Sequence, residues 1–166
     1  MSPLKSRCRH AFYALSLLMG SMTATSLDIT SAQAASLCFP KSYISVHELL
    51  EFCRIPGECG KPLACEGQTA LVKGTVDYDN VFEHSRYPQL PYEKFFLAGD
   101  HGKKLDVVAV SPDNAALFEK IFAARKEGNR RAFLKVTVRG VDLHVMGACH
   151  REIRLEIKSP DHLTFR

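Results

Sequence analysis

The sequence has few of the features that most enzymes and membrane proteins require. Its N-terminal apolar run, Ala11–Met19, is too short to span a bilayer as a helix. It contains no glycine-rich phosphate loop and no nucleophile-elbow motif around a serine. Neither a C-x-x-C redox motif nor a C-x-x-C-H haem motif occurs. These absences argue against phosphate-loop, serine-hydrolase, thioredoxin-like and c-type haem functions.

The sequence also has no large excess of either positive or negative charge. The 166 residues hold 22 basic and 18 acidic side chains, and residues 1–34 account for three of the basic ones and one acid, Asp28. The remainder therefore has 19 basic and 17 acidic side chains, a net charge of +2. That balance does not indicate a nucleic-acid partner, and the length and ordinary composition indicate one globular domain.

The N-terminus has the pattern of a secretory signal segment. The basic residues before the apolar run are Lys5, Arg7, Arg9 and His10. Small and polar residues follow the run and end in Ala32-Gln33-Ala34, which fits a small-x-small cleavage site. Because Leu37 precedes Cys38, there is no lipobox, and we expect a free soluble product that is periplasmic or secreted. An uncleaved anchor or a buried helix is the alternative.

Five cysteines remain after cleavage: Cys38, Cys53, Cys59, Cys65 and Cys149. In an oxidising compartment they are expected to form two disulfides and leave one free thiol. Cys53, Cys59 and Cys65 lie in a Gly- and Pro-rich segment, so a bridge within this trio is expected. Cys149 would then join the segment to the last strand. The sequence alone leaves the connectivity open.

A metal site is the alternative interpretation of the cysteines. Cys53, Cys59 and Cys65, together with Cys149 or His150, would offer soft ligands for zinc or copper. The five-residue spacers disfavour this, because structural zinc sites use closer pairs. The leading interpretation therefore includes no cofactor, and a redox-active or intermolecular thiol is a third possibility.

The hydrophobic pattern predicts a short helix and then a mainly β domain. Ser45 and Glu48 form a capping box for a helix that ends before Pro56. Gly74 inside the first long strand suggests a bend or bulge, and Ser111 with Pro112 marks the start of a second helix. The predicted strands cover 68–82, 94–98, 104–110, 132–141 and 151–157, with the second helix ending near 128.

This order, β-β-β-α-β-β, resembles the OB-fold, a five-stranded Greek-key barrel. The resemblance includes V-K-G-T-V at 72–76, F-L-A-G-D-H-G-K-K-L-D-V-V at 96–108 and V-T-V-R-G-V at 136–141. The predicted fold class is thus mainly β with α. The predicted organisation is a signal peptide (1–34), a helix and cysteine-rich segment (35–67), an OB-fold-like barrel (68–158) and a C-terminal tail (159–166).

The resemblance implies ligand binding on the face of strands two and three and on the flanking loops. The candidate binding residues are aromatic or basic: Phe82, His84, Arg86, Tyr87, Tyr92, Lys73, Lys135 and Arg139. Such side chains suit single-stranded nucleic acid or an anionic glycan, and export makes nucleic acid the less expected partner. In the alternative interpretation, Tyr87 and Tyr92 only pack the loop, and Lys135 and Arg139 belong to a solvated strand face.

No catalytic arrangement is evident. Cys149 and His150 are adjacent, and neighbouring side chains on a strand point to opposite faces. We therefore predict a non-enzymatic exported binding module that acts on an envelope protein or an anionic ligand, with no transmembrane span in the mature chain. The alternative is a metal- or thiol-handling protein that uses the cysteine cluster.

Overall fold

A computed structural model describes residues 39–53 and 59–166, so the predicted signal segment and Cys38 lie outside the described residues. None of the helices in these two ranges is long and apolar enough to cross a membrane. The elements in chain order are β1 (Ile44–Ser45), α1 (Val46–Cys53), β2 (Thr69–Phe82), β3 (Lys94–Ala98), β4 (Lys104–Ala109), α2 (Asn114–Lys126), β5 (Arg131–Val145), β6 (Ala148–Ile157) and β7 (Leu163–Phe165).

Five of the strands close into a ring. β2 pairs antiparallel with β3, and β3 pairs antiparallel with β4. β4 runs parallel to β6, β6 pairs antiparallel with β5, and β5 returns to β2. The order β2-β3-β4-β6-β5, with α2 between the third and fourth barrel strands, is that of an OB-fold. The predicted fold class, including the short helix before the barrel, is confirmed.

Gly74 marks the point where the ring closes. Beside it, Thr75 is in register with Ala98 of β3 and also with Arg131 of β5. A Cβ atom on residue 74 would lie 2.7 Å from Leu97 Cγ, so a larger residue would push β3 away. The irregularity in the pairing lies further along β2, where residues 78–80 bulge out between two β3-paired positions.

The barrel interior and α2 share one core. Phe95 and Leu97 of β3 are fully buried, as are Leu117, Phe118 and Ile121 of α2. This agrees with the hydrophobic pattern from which the strands and the second helix are predicted.

The cap predicted at Ser111 is wrong by two residues. The side chain of Asp113 accepts the Ala116 N–H at 3.1 Å, and the helix begins at Asn114. Ser111 Oγ instead accepts the Asp113 N–H at 3.0 Å. Pro112 therefore lies before the helix, because Asp113, the residue after it, is the cap that accepts the Ala116 amide.

The capping box of α1 is present as predicted. Ser45 Oγ accepts the Glu48 N–H at 3.2 Å, and Glu48 Oε2 accepts the Ser45 N–H at 2.6 Å. The helix buries Val46, Leu49 and Cys53.

Both expected disulfides are present. Cys53 and Cys65 are joined within the cysteine trio, with Cα atoms 4.9 Å apart. Cys59 and Cys149 are joined across 90 residues, with Cα atoms 5.9 Å apart, which ties the cysteine-rich segment to β6. The fate of Cys38 lies outside the described residues.

Strands β5 and β6 are longer than predicted and form a projecting hairpin, residues 141–150, which we call the arm. Its turn consists of Met146 and Gly147, with φ angles of 51° and 81°. Two consecutive positive φ values match the twist of a two-residue hairpin. The apolar–polar alternation continues into the arm, where Val141, Leu143 and Val145 alternate with Asp142 and His144, although the predicted strand ended at 141.

Arg151 anchors the base of the arm. Its Nη1 donates to Asp142 Oδ1 at 2.6 Å, and its Nη2 donates to Glu66 Oε2 at 2.9 Å. Burial by itself raises the pKa of Glu66, but hydrogen bonds from Arg151 and the Leu63 backbone lower it overall. The Arg151 hydrogen bond is also the main reason that the pKa of Asp142 lies below its ordinary value.

The segment after Ser159 contains one further strand. β7 pairs antiparallel with β5 and places Leu163 opposite Leu134, where both side chains are fully buried. With only three residues, β7 is too short to give a periodic pattern in the sequence.

Replacing both Cys59 and Cys149 with Ser should reduce the free energy of unfolding. The bond closes a long loop, for which the chain-entropy model gives about 4–5 kcal/mol. Denaturant unfolding of the oxidised protein and the variant measures this difference. A loss well below about 1 kcal/mol would show that the bond does not constrain the unfolded chain as the loop model requires.

Replacing Arg151 with Gln should raise the pKa of both Glu66 and Asp142 towards their ordinary values of 4.5 and 3.8. A depressed carboxyl pKa stabilises the fold above the unfolded-state pKa, and this stability is lost as the pH falls through the folded-state pKa. The variant should therefore lose less stability than the wild type as the pH falls below these ordinary values.

Carboxyl-carbon NMR titration and unfolding at neutral and acid pH would measure both effects. Arg139→Gln is the matched control, because Arg139 pairs with Glu156 at 2.9 Å instead. Unchanged pKa values for Glu66 and Asp142 in the Arg151 variant would contradict this account.

Candidate functional site

A groove of about 720 Å³ lies on the outer face of β3, β4 and β6. We call it the β3–β4–β6 groove. The end of the loop between β2 and β3 lines it, as do α1 and the arm. Its outward-facing strand residues are Lys94, Phe96, Lys104, Asp106, Glu152 and Arg154.

The strand register places several of these side chains in one row across the face. Asp77 is opposite Phe96, Phe96 is opposite Asp106, and Asp106 is opposite Arg154. Arg139 of β5 continues the row beside Arg154. Because residues in register on neighbouring strands lie on the same face, one aromatic ring and four charged groups lie along a single line.

Lys94 lies among three aromatic rings. Its Nζ atom is 4.8 Å from the ring centroid of Phe96, 5.7 Å from that of Phe82 and 5.9 Å from that of Tyr92. The same atom donates to Asp106 Oδ2 at 2.9 Å. The ammonium group is thus held at the floor of the groove by ring faces and one carboxylate.

Arg154 and Tyr92 form the second cation–aromatic pair. The guanidinium carbon is 4.7 Å from the Tyr92 ring centroid, and Nη2 donates to Tyr92 Oη at 3.0 Å. Arg154 Nε is buried and has no hydrogen-bond partner among the described residues. A planar cation placed in this way is suited to a carboxylate or a similar planar anion.

The groove is close to electrically balanced. The cations that line it are Lys94, Lys103, Lys104 and Arg154, and the acids are Glu51, Asp106 and Glu152. At its edge, Lys104 donates to Asp77 Oδ2 at 2.6 Å. This hydrogen bond, followed by one from Asn80, lowers the pKa of Asp77.

The structure brings three of the predicted aromatic residues to this region. Tyr92 lines the groove, and Phe82 has its ring 6.3 Å from the ring of Phe96. Tyr87 has its ring 5.2 Å from the ring of Phe82 and is 37% exposed, so it lies at the outer edge of the aromatic group.

Two predicted loop residues have local roles instead. His84 Nε2 lies 2.9 Å from the Leu90 carbonyl oxygen, and the His84 backbone donates to Glu93 at 2.9 Å. Arg86 lies over the ring of Phe122 on α2, 4.9 Å from its centroid. These contacts fix the conformation of the loop and hold it against α2.

The predicted basic residues on β2 and β5 are not brought together in the groove. Lys73 lines a separate, smaller cavity near Gly74. Lys135 lies opposite Leu71 on the β2–β5 side of the barrel. Arg139 borders the groove through its register with Arg154 but is paired with Glu156.

Sequence reasoning missed four residues that define the groove: Lys94, Phe96, Asp106 and Arg154. The OB-fold resemblance already pointed to strands two and three, so the signal was available. In K-F-F-L-A the buried Phe95 and Leu97 alternate with Lys94 and Phe96, which must therefore face outward.

The alternative metal-site hypothesis used four cysteines that the structure joins in pairs. A disulfide sulfur is not the thiolate that zinc or copper(I) requires. The fifth ligand of the hypothetical metal site, His150, lies opposite Leu143 on the arm. Within residues 39–53 and 59–166, no group of three or more His, Cys, Asp or Glu side chains is arranged to hold a metal ion.

Comparison with known proteins yields a likeness in fold only. No family model matches the chain, and no curated protein matches it. Among solved structures, the chain is similar to the mitochondrial single-stranded DNA-binding protein Rim1 of S. cerevisiae, with 12% identity and a TM-score of 0.35. The match covers 58% of this chain and 90% of that one. The closed strand order described above, rather than this match, identifies the barrel as an OB-fold.

Proposed function

We propose that this protein is a non-enzymatic binding module of the cell envelope that takes an anionic carbohydrate in the β3–β4–β6 groove. The observation that carries the proposal is the pairing of cations with ring faces at Lys94 and Arg154. Aromatic faces suit the apolar faces of sugar rings, and the cations suit a carboxylate. The groove volume of about 720 Å³ fits a short oligomer or a drug-sized molecule.

The location is inferred from two features. The paired cysteines are typical of an oxidising compartment, since disulfides are rare in the cytosol. The signal-like pattern of residues 1–34 supports export through the envelope. Together they favour the periplasm or the outside of the cell, where acidic glycans are available ligands.

The charge balance of the groove favours a glycan over nucleic acid. A single strand of nucleic acid carries one phosphate per nucleotide and needs a continuous basic track. Here three acids, Glu51, Asp106 and Glu152, interrupt the cations. A ligand with a few separated carboxylates meets less repulsion from these acids.

Replacing Lys94 with Gln should weaken binding of a short hyaluronate oligomer, which carries a carboxylate on every second sugar, by about ten- to a hundredfold, because a charge-assisted hydrogen bond contributes about 1.5–3 kcal/mol. Isothermal titration calorimetry measures the change. Lys158→Gln is the matched control, since Lys158 is exposed and follows β6 outside the groove.

A neutral maltooligosaccharide of the same length and a short single-stranded oligothymidylate complete the titration series. The proposal predicts weak binding of both. Tighter binding of the oligothymidylate than of the hyaluronate would favour a nucleic-acid function. Loss of binding in Lys135→Gln but not in Lys94→Gln would show that the ligand binds on the β2–β5 side of the barrel instead.

A further inference from the structure

The two disulfides differ in how far solvent reaches them. Cys53 and Cys65 are both 0% exposed and belong to the hydrophobic core. Cys59 and Cys149 are only half-buried, at the junction of the cysteine-rich segment and the arm. A dissolved thiol can therefore approach the second bond without opening the core.

A histidine lies against the accessible bond. His144 is directly opposite Cys149 in the β5–β6 register, and its Nε2 atom is 3.6 Å from Cys149 Sγ. An imidazole N–H at this position donates a weak hydrogen bond to the sulfur. His150 follows Cys149 in sequence, but neighbouring side chains on a strand point to opposite faces, and it pairs with Leu143.

We propose that Cys59–Cys149 is a thiol–disulfide exchange site, with His144 stabilising Cys149 as the leaving thiolate. The substrate class is an accessible thiolate, either a low-molecular-weight thiol or a cysteine of another protein. This function is separate from binding in the groove, and neither depends on the other.

The exchange proceeds in two balanced steps. The incoming thiolate attacks Cys59 Sγ and forms a mixed disulfide, and the S–S electron pair leaves on Cys149 Sγ, which then takes up a proton. In its Nε2–H tautomer, His144 presents a donor to the sulfur on which this negative charge develops. A second substrate thiolate attacks the substrate sulfur of the mixed disulfide and releases Cys59. In total, two substrate thiols become one disulfide, and the protein gains two electrons and two protons.

The barrel is expected to remain folded after this reaction. Arg151 continues to join Asp142 and Glu66 at the base of the arm, and Cys53–Cys65 stays closed in the core. The product is therefore a folded dithiol that a suitable disulfide can reoxidise, which reversible exchange requires.

The test uses the full-length oxidised protein and reduced glutathione. Samples are quenched with an alkylating agent over time, and peptide mapping by mass spectrometry follows each cysteine separately, including Cys8 and Cys38. The first glutathione adduct should appear on Cys59 while Cys53–Cys65 stays intact. His144→Ala should slow this step about two- to tenfold, the range given by the net value of one hydrogen bond.

His150→Ala is the matched control and should react at the wild-type rate, because it changes a histidine next to Cys149 that faces the other way. Thermal unfolding of all three proteins checks that the fold is kept. Equal reduction rates for the two disulfides, a first adduct on Cys149, or an unchanged rate in His144→Ala would each overturn the proposal. The groove plays no part in this assay, so a failure here leaves the proposed ligand binding unaffected.

Discussion

The pairing of β2 with β5 is the constraint on which the rest of the structure depends. Seven consecutive residue pairs, from Thr69 with Thr137 to Thr75 with Arg131, close the sheet into a ring. Closure removes the two free edges that an open sheet would expose. It also forces β2 to leave β5 and join β3 at Gly74, where the close contact with Leu97 leaves no space for a Cβ atom.

Closure also sets the geometry of the outer face. Because β4 and β6 become parallel neighbours, Asp106 and Arg154 come into register although 48 positions separate them in sequence. The cysteine-rich segment then stabilises the far side of this face. Through Cys59–Cys149 and the Arg151 ion pairs it holds the arm, whose Leu143 lines the groove. One chain segment thus contributes both to stability and to the shape of the site.

The sequence was sufficient for the features that depend on local pattern. Alternation predicted the barrel strands, and the Ser45–Glu48 capping box predicted α1. The cysteine count and spacing predicted two disulfides, one of them within the trio, but not which cysteines pair. The sequence was insufficient where two nearby residues offer the same local signal. Asp113 and Ser111 are both good caps, and only the observed hydrogen bonds distinguish them.

The candidate site also contains some residues that the sequence predicted and others that it did not. Tyr92, which lines the groove, and Phe82, whose ring lies 6.3 Å from that of Phe96, were predicted because they are aromatic residues at the two ends of one loop. Arg154 was missed because its role comes from the contact with Tyr92, 62 residues away. Lys73 was assigned to the site by charge, but its position on β2 places it beside another cavity. Residue type indicated which side chains could bind a ligand, but only the strand register shows which of them share a face of the barrel.

Amide chemical-shift mapping of the isotope-labelled protein during titration with a short hyaluronate oligomer tests the central claim most directly. The account predicts shifts concentrated in residues 92–96, 103–106 and 152–154 and in Leu143, the residues that line the β3–β4–β6 groove. Shifts centred on Lys73 and Lys135 instead, or none at saturating oligomer, would contradict it.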